Sequence, residues 1–296
     1  MKTKRDFLTI KDFTAAEIAS LMERAADFKN GKAVGNKPLL GRSIGMLFYK
    51  TSTRTRISFE VGIYQLGGQP LYIRPGESQL SRDETIADTA RVFSRYLNGI
   101  VIRTFEHKIA AEFAECSSVP VINGLTDTHH PCQILADLMT IKEKKGQFKG
   151  IKIAYIGDGN NVANSLIEAA VLMDMSLTVA SPEGYEPALK DTSGRITIVR
   201  DPKEAAAGAD VLYTDVWVSM GDKEDGEEKR LKFAAYQIND ALMSYAKPDC
   251  TVLHCLPAHR GEEITDSVIE GPQSAVFDQA ENRLHTQKAV LEMLIK

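Results

Sequence analysis

In "FTAAEIASLMERAADFKNG" the apolar residues fall at Ile18, Leu21, Met22, Ala25 and Phe28, the spacing of a helix that buries one face. Thr14 stands as its N-cap, with Glu17 at the capping-box position and Gly31 as the stop. "SIGMLFY" (43–49) is a short apolar run and predicts a buried strand. "ISFEVGIYQLGG" then carries two helical stripes, Ile57/Val61/Tyr64 and Phe59/Ile63/Leu66. The alternation goes on: "PLYI" strand, "ETIADTARVFSRY" helix, "GIVIR" strand, "KIAAEFAECS" helix, "VPVIN" strand, and a helix opening at "HPCQ".

A second run of the same kind follows Gly150. "IKIAYIGDGNN" predicts strand and turn, "VANSLIEAAVLMD" helix, and "LTVAS", "ADVLYTDVW" and "CTVLHCLP" strands. Residues 183–198 are short and polar, and "KAVLEMLIK" closes with a helix. Strand–helix alternation predicts an α/β fold of two domains, each a parallel sheet flanked by helices. The polar, glycine-bearing "KEKKGQFKG" places the boundary so that residues 1–145 and 146–296 are the domains, with the final helix (about 279–296) expected to return to the first. Ligands of open parallel sheets bind beyond the strands' C-terminal ends, so the polar strand-end loops predict an active-site cleft between the domains.

The chain has 296 residues, 43% hydrophobic and 26% charged, the balance of a soluble globular protein. Its net charge of −4 argues against a nucleic-acid partner. No stretch approaches the roughly 20 apolar residues of a membrane span, and the N-terminal residues predict no signal peptide. Four cysteines without a C-x-x-C pair fit a reducing cytoplasm.

Against that mildly acidic background "KTSTRTR" (50–56) is a local concentration of cations and hydroxyls. It lies between a strand and a helix start, where unpaired N–H groups favour an anion. Arg54 adds a planar fork suited to phosphate oxygens, and Ser52, Thr53 and Thr55 add hydroxyl donors. The blander account is a helix cap flanked by exposed arginines. "GDGNNV" fails as a dinucleotide fingerprint, because Val162 stands where the third glycine belongs. His130 opens a helix, whose positive end disfavours protonation, so a neutral imidazole could polarise a carbonyl or simply cap. His130/Cys132 and His254/Cys255 lack zinc-motif spacing, and no metal is expected. Asp215 could hold an ammonium group or cap a turn. Cys255 on its own reads as a small core residue or as an active-site thiol.

"STRTR", "HPCQ" and "HCLP", in that order and at these separations, resemble the aspartate/ornithine carbamoyltransferase family over about residues 6–294. "DVWVSMG" and "HCLP" are similar to its ornithine-accepting branch. The resemblance implies that Ser52, Thr53, Arg54 and Thr55 bind carbamoyl phosphate, with Arg103, His130 and Gln133 around its carbamoyl group and Arg283 on the phosphate. Gln79 matches a glutamine lent to a neighbouring subunit's site, and Asn161, Asp215, Ser219 and Met220 match ornithine-binding residues. Cys255 lies where the family has a cysteine near the reacting amine, and Leu256 where a carbonyl meets the carbamoyl NH2. Arg103, His130 and Cys255 are then the expected catalytic residues, serving carbamoyl phosphate and L-ornithine in a homotrimer or multiple of trimers. No cofactor is implied, since carbamoyl phosphate is already activated. The shortened 183–198 region departs from the family and is expected to lie remote from the motifs. Two alternatives stay open: a carbamoyltransferase for another amine, such as putrescine or an acylated ornithine, and a non-catalytic anion-binding regulator.

Overall fold

The computed structural model describes residues 4–74, 76, 84–218 and 226–296. The chain forms two compact units, Met1–Ala136 with Glu281–Lys296, and Asp137–Ala280. The divisions fall inside the helices Pro131–Lys145 and Val276–Leu294.

In the first unit the elements run α1 (Ala15–Lys29), β1 (Ser43–Phe48), α2 (Thr53–Gln65), β2 (Gln69–Ile73), α3 (Ile86–Tyr96), β3 (Gly99–Arg103), α4 (His107–Cys116), β4 (Val121–Leu125) and α5 (Pro131–Lys145). The capping box of Thr14 and Glu17 starts α1. The sheet is parallel, in the order β2-β1-β3-β4. Ile44, Met46 and Leu47 of β1 and Ile100, Val101 and Ile102 of β3 are fully buried, as parallel strands covered on both faces require. Of the two stripes on α2, Phe59, Ile63 and Leu66 enter the core while Ile57, Val61 and Tyr64 stay exposed. The last part of the chain belongs to this unit, where Arg24 grips Glu292 (Nε–Oε2 2.5 Å) and Lys29 donates to Asn282 (2.8 Å).

The second unit contains β5 (Lys152–Ile156), α6 (Asn161–Leu172), β6 (Ser176–Ala180), β7 (Ile196–Val199), α7 (Pro202–Ala206), β8 (Val211–Thr214), α8 (Gly226–Phe233), α9 (Asp240–Met243), β9 (Thr251–His254), α10 (Asp266–Ile269) and the start of α11 (Val276–Leu294). Its sheet is parallel, in the order β7-β6-β5-β8-β9. The edge strand β7 was missed in a region that reads as short and polar, although Ile196, Thr197, Ile198 and Val199 are all β-branched; at the sheet's edge only Val199 of the four is buried. α7, α9 and α10 are too short for helical periodicity to show.

The 183–198 region is not remote from the motifs. Gly159 of "GDGNN" donates its N–H to Tyr185 O (2.8 Å), and Asn164 Oδ1 on α6 accepts Leu189 N–H (3.1 Å). A Cβ on Gly159 would lie 2.2 Å from Pro187 N and 2.3 Å from Glu186 C. This close approach, and no dinucleotide, is what requires the second glycine of that turn. Gly159→Ala must displace backbone, so we expect it to destabilise the protein by about 1–3 kcal/mol. Urea unfolding with an unchanged midpoint would contradict the contact.

Candidate functional site

In the first sheet β1 lies between β2 and β3, so the chain leaves β1 toward one side and β3 toward the other. Such a reversal opens a crevice at the strands' C-terminal ends. Ser52 caps α2 there, its Oγ accepting Thr55 N–H (3.2 Å). Thr53, Arg54 and Thr55 form the first turn, whose N–H groups carry the positive end of the helix dipole. Arg54 is exposed, and Thr55 is buried.

Two buried guanidiniums converge on the Thr55 hydroxyl: Arg103 Nη1 from the end of β3 (3.4 Å) and Arg283 Nη2 from α11 (3.1 Å). Arg283 Nη1 also donates to Gln133 Oε1 on α5 (2.6 Å). His130, buried, immediately precedes Pro131, the first residue of α5 and a favoured type for that position. Burial, then the charges of Arg283, Arg103 and Arg54, hold the His130 imidazole well below its ordinary pKa, so it is neutral at physiological pH. The assembly concentrates positive charge and hydroxyl donors around one helix start, which is chemistry for a phosphate-bearing ligand with a carbonyl.

The second sheet reverses between β5 and β8. Asp215, directly after β8, is a buried carboxylate. Its Oδ1 accepts the Cys255 thiol (2.7 Å) and Val216 N–H (2.8 Å), and its Oδ2 accepts Asn160 Nδ2 (2.7 Å). Asn160 also caps α6, its Oδ1 accepting Val162 N–H (2.9 Å) and Tyr155 Oη–H (3.2 Å). Asn161 is the first residue of that helix. Lys229 on α8 pairs with Asp158 of the same turn (2.8 Å) and lies 5.5 Å from the Tyr185 ring. Beyond β9, Leu256 adopts a left-handed φ of 54° and donates its N–H to His254 Nδ1 (2.9 Å), while His254 Nε2 meets Glu263 (2.9 Å).

Ser52, Thr53, Arg54, Thr55, Arg103, His130, Gln133 and Arg283 therefore gather in the first unit, and Asn161, Asp215, Cys255 and Leu256 at strand ends of the second. Gln79, Ser219 and Met220 lie outside the described residues. Sequence reasoning missed Asn160, Lys229 and Glu263. Asn160 had a signal, since asparagine before a helical run is a favoured N-cap; the other two had none.

Among the described residues Asp215, His254 and Cys255 bring three ligand atoms within 4.8 Å of one another. Both imidazole nitrogens of His254 are already used, by Glu263 and by Leu256 N–H, which disfavours an ion there. Burial pushes the Cys132 thiol up to about 12, and it donates to Asn123 O (3.3 Å), the environment of a core residue and not of a ligand.

Comparison with known proteins matches residues 5–143 to the carbamoyl-P binding domain of aspartate/ornithine carbamoyltransferase and residues 149–294 to its Asp/Orn binding domain. The ornithine carbamoyltransferase of Syntrophus aciditrophicus is 54% identical over 99% of this chain and 100% of its own length. The anabolic ornithine carbamoyltransferase of Pyrococcus furiosus is 50% identical over 98% of this chain and 96% of its own. The solved structure of the ornithine carbamoyltransferase from Pyrococcus furiosus superposes with a TM-score of 0.93 at 50% identity, covering 99% of this chain and 97% of that one. That of the Thermus thermophilus enzyme gives 0.90 at 41%, covering 99% of each. With residues 5–143 and 149–294 matched to the two family domains, and the arginine cluster and the Asp215–Cys255 pair each at a strand-order reversal, the chain belongs to the aspartate/ornithine carbamoyltransferase family.

Proposed function

We propose that the protein transfers the carbamoyl group of carbamoyl phosphate to the δ-amine of L-ornithine, giving L-citrulline and phosphate. The observation that carries this reading is the buried Asp215 carboxylate with the Cys255 thiol 2.7 Å away, an anionic site fit for an amino-acid ammonium group. The full-length relatives named ornithine carbamoyltransferases support it, and the anabolic Pyrococcus furiosus enzyme supports a biosynthetic direction toward arginine. The test is citrulline formation from carbamoyl phosphate and ornithine, with aspartate and putrescine as controls. Turnover of putrescine and not of ornithine would overturn the choice of acceptor.

The chemistry assigns each group a task. The first turn of α2, with Ser52, Thr53 and Arg54, holds the phosphate, and Arg283 neutralises the charge it gains on leaving. The amine lone pair forms the new C–N bond while the C–O bond to phosphate breaks, its electron pair leaves with phosphate, and the surplus proton on the amine nitrogen passes to that departing phosphate. Charge passes through the carbonyl oxygen, where Arg103, Thr55 and neutral His130 donate. Gln133 and the Leu256 carbonyl hold the carbamoyl NH2. Asp215 holds the α-ammonium, and Asn161 the α-carboxylate. Direct attack needs both substrates bound together, which itself supplies much of the acceleration.

We assign the protein to the cytoplasm, where its four free cysteines stay reduced, and to a homotrimer. The outward stripe of α2, with Ile57 52% and Tyr64 76% exposed, supports self-association through the first unit. Sedimentation should return three times the 32.6 kDa chain mass; a monomer would overturn the assembly.

Arg54 is exposed, so its truncation should spare the fold. Arg54→Ala is expected to lower kcat/KM by about 2–4 kcal/mol of transition-state binding with an unchanged melting temperature. A variant with wild-type kcat/KM would remove Arg54 from the phosphate site.

The δ-amine of ornithine has a pKa of about 10.4, so roughly one molecule in 2,500 is neutral at pH 7. His130, held well below 6.5, contributes no ionisation above that pH. We therefore expect kcat/KM for ornithine to climb from pH 6 to above pH 8. The Cys255 thiol, which donates a hydrogen bond to Asp215, is suited to orient the amine; acting as a base or as a nucleophile would first need its proton to pass to Asp215. Cys255→Ser should keep sequential kinetics and a residual rate, with a changed pH profile. Parallel initial-rate lines in the wild type would overturn direct attack.

A further inference from the structure

Asp137 on α5 is fully buried. Its Oδ2 accepts Tyr213 Oη–H from β8 (2.9 Å), and its Oδ1 accepts Gln279 Nε2–H from α11 (2.6 Å). Gln279 is also fully buried, its Nε2 lying 3.2 Å from Tyr213 Oη, and its Oε1 accepts the backbone N–H of His254 (2.9 Å). His254 is the last residue of β9 and the neighbour of Cys255; its ring in turn accepts Leu256 N–H. A carboxylate can only accept, so Asp137 obliges the Gln279 amide to turn its NH2 inward and its carbonyl toward β9. The reverse orientation would set the NH2 against the His254 N–H, donor against donor.

We infer that Asp137 and Gln279 are a positioning pair for carbamoyl transfer, which through the backbone of His254 hold the Cys255–Leu256 turn in register with Asp215. The inference rests on the transfer reaction proposed above. Other ionisable groups around the pair are Tyr213 on β8, Tyr155 on β5 with its ring 5.7 Å from that of Tyr213, His254 and Cys255 at the end of β9, and Asp215 after β8. Burial, with the charge of Asp137, keeps Tyr213 well above its ordinary pKa, so it remains a donor throughout the working range.

The substitution Gln279→Glu makes the idea testable by pH. A carboxyl pressed against Asp137 resists ionisation, so at low pH its O–H donates to Asp137 and its carbonyl accepts His254 N–H, repeating the native pattern. As pH rises the proton is lost and two carboxylates face each other. The kcat of Gln279→Glu relative to wild type is expected within about threefold at pH 6 and reduced by at least about tenfold at pH 9. Gln279→Leu, which removes the hydrogen bonds to Asp137 and to the His254 N–H without adding an ionisable group, should lower kcat by a ratio that does not change with pH. A flat ratio for a folded Gln279→Glu would overturn the proposal. If that variant does not fold, Asp137→Asn decides: it should lower both kcat and the hydrogen-exchange protection of the His254 amide, and wild-type values of both would overturn the pair. A wild-type protein that forms no citrulline would defeat the reaction assigned above, while protection at His254 would still judge the Asp137–Gln279 network.

Discussion

Two buried guanidinium groups directed at one threonine hydroxyl set the chemistry of the first unit. Arg103 and Arg283 meet at Thr55 Oγ1, 3.4 and 3.1 Å away, beside a helix start that already carries partial positive charge. Buried like charges repel, and such a cluster is worth keeping only where an anion balances it. The same charges, added to burial, hold His130 neutral. The imidazole therefore does not add a fourth positive charge to the three arginines around it.

The second unit uses the same architectural device with the opposite sign. Its sheet reverses between β5 and β8, and the residue after β8 is a buried carboxylate where the first unit has arginines. Asp215 is held by Asn160 from the turn after β5, by Cys255 from the turn after β9, and by its neighbour's backbone N–H. Three strand ends thus share one carboxylate, so a change at Asp215 disturbs all three turns at once. The turn after β5 is itself held from outside, by the 185–189 segment against Gly159 and by Lys229 against Asp158.

Much of this was legible along the chain, for reasons that differ by residue. Helix α1 could be read to its ends because capping and apolar spacing are local properties, satisfied within a few residues. "STRTR", "HPCQ" and "HCLP" were legible because their order and separations resemble one family. Which stripe of α2 faces inward was not legible, since both Phe59/Ile63/Leu66 and Ile57/Val61/Tyr64 have helical spacing and only the sheet beneath chooses between them. β7 is only four β-branched residues at the end of a polar region and was missed, and the 183–198 region could not declare its contact with Gly159 because backbone packed against backbone leaves no mark except the glycine.

The sequence by itself determined the α/β class, the run of strands and helices, and the kinds of charge and hydroxyl at the strand ends, because periodicity, capping and side-chain type act over short stretches of chain. Only the tertiary structure decided the strand orders β2-β1-β3-β4 and β7-β6-β5-β8-β9, which put both reversals beside the motifs. It supplied the direct hydrogen bonds of Arg283 to Gln133 across 150 residues and to Thr55 across 228, and buried Asp137 against Gln279 across 142. Those partners are chosen by the packing of a whole sheet, and no local pattern encodes which distant side chain will satisfy a buried polar group.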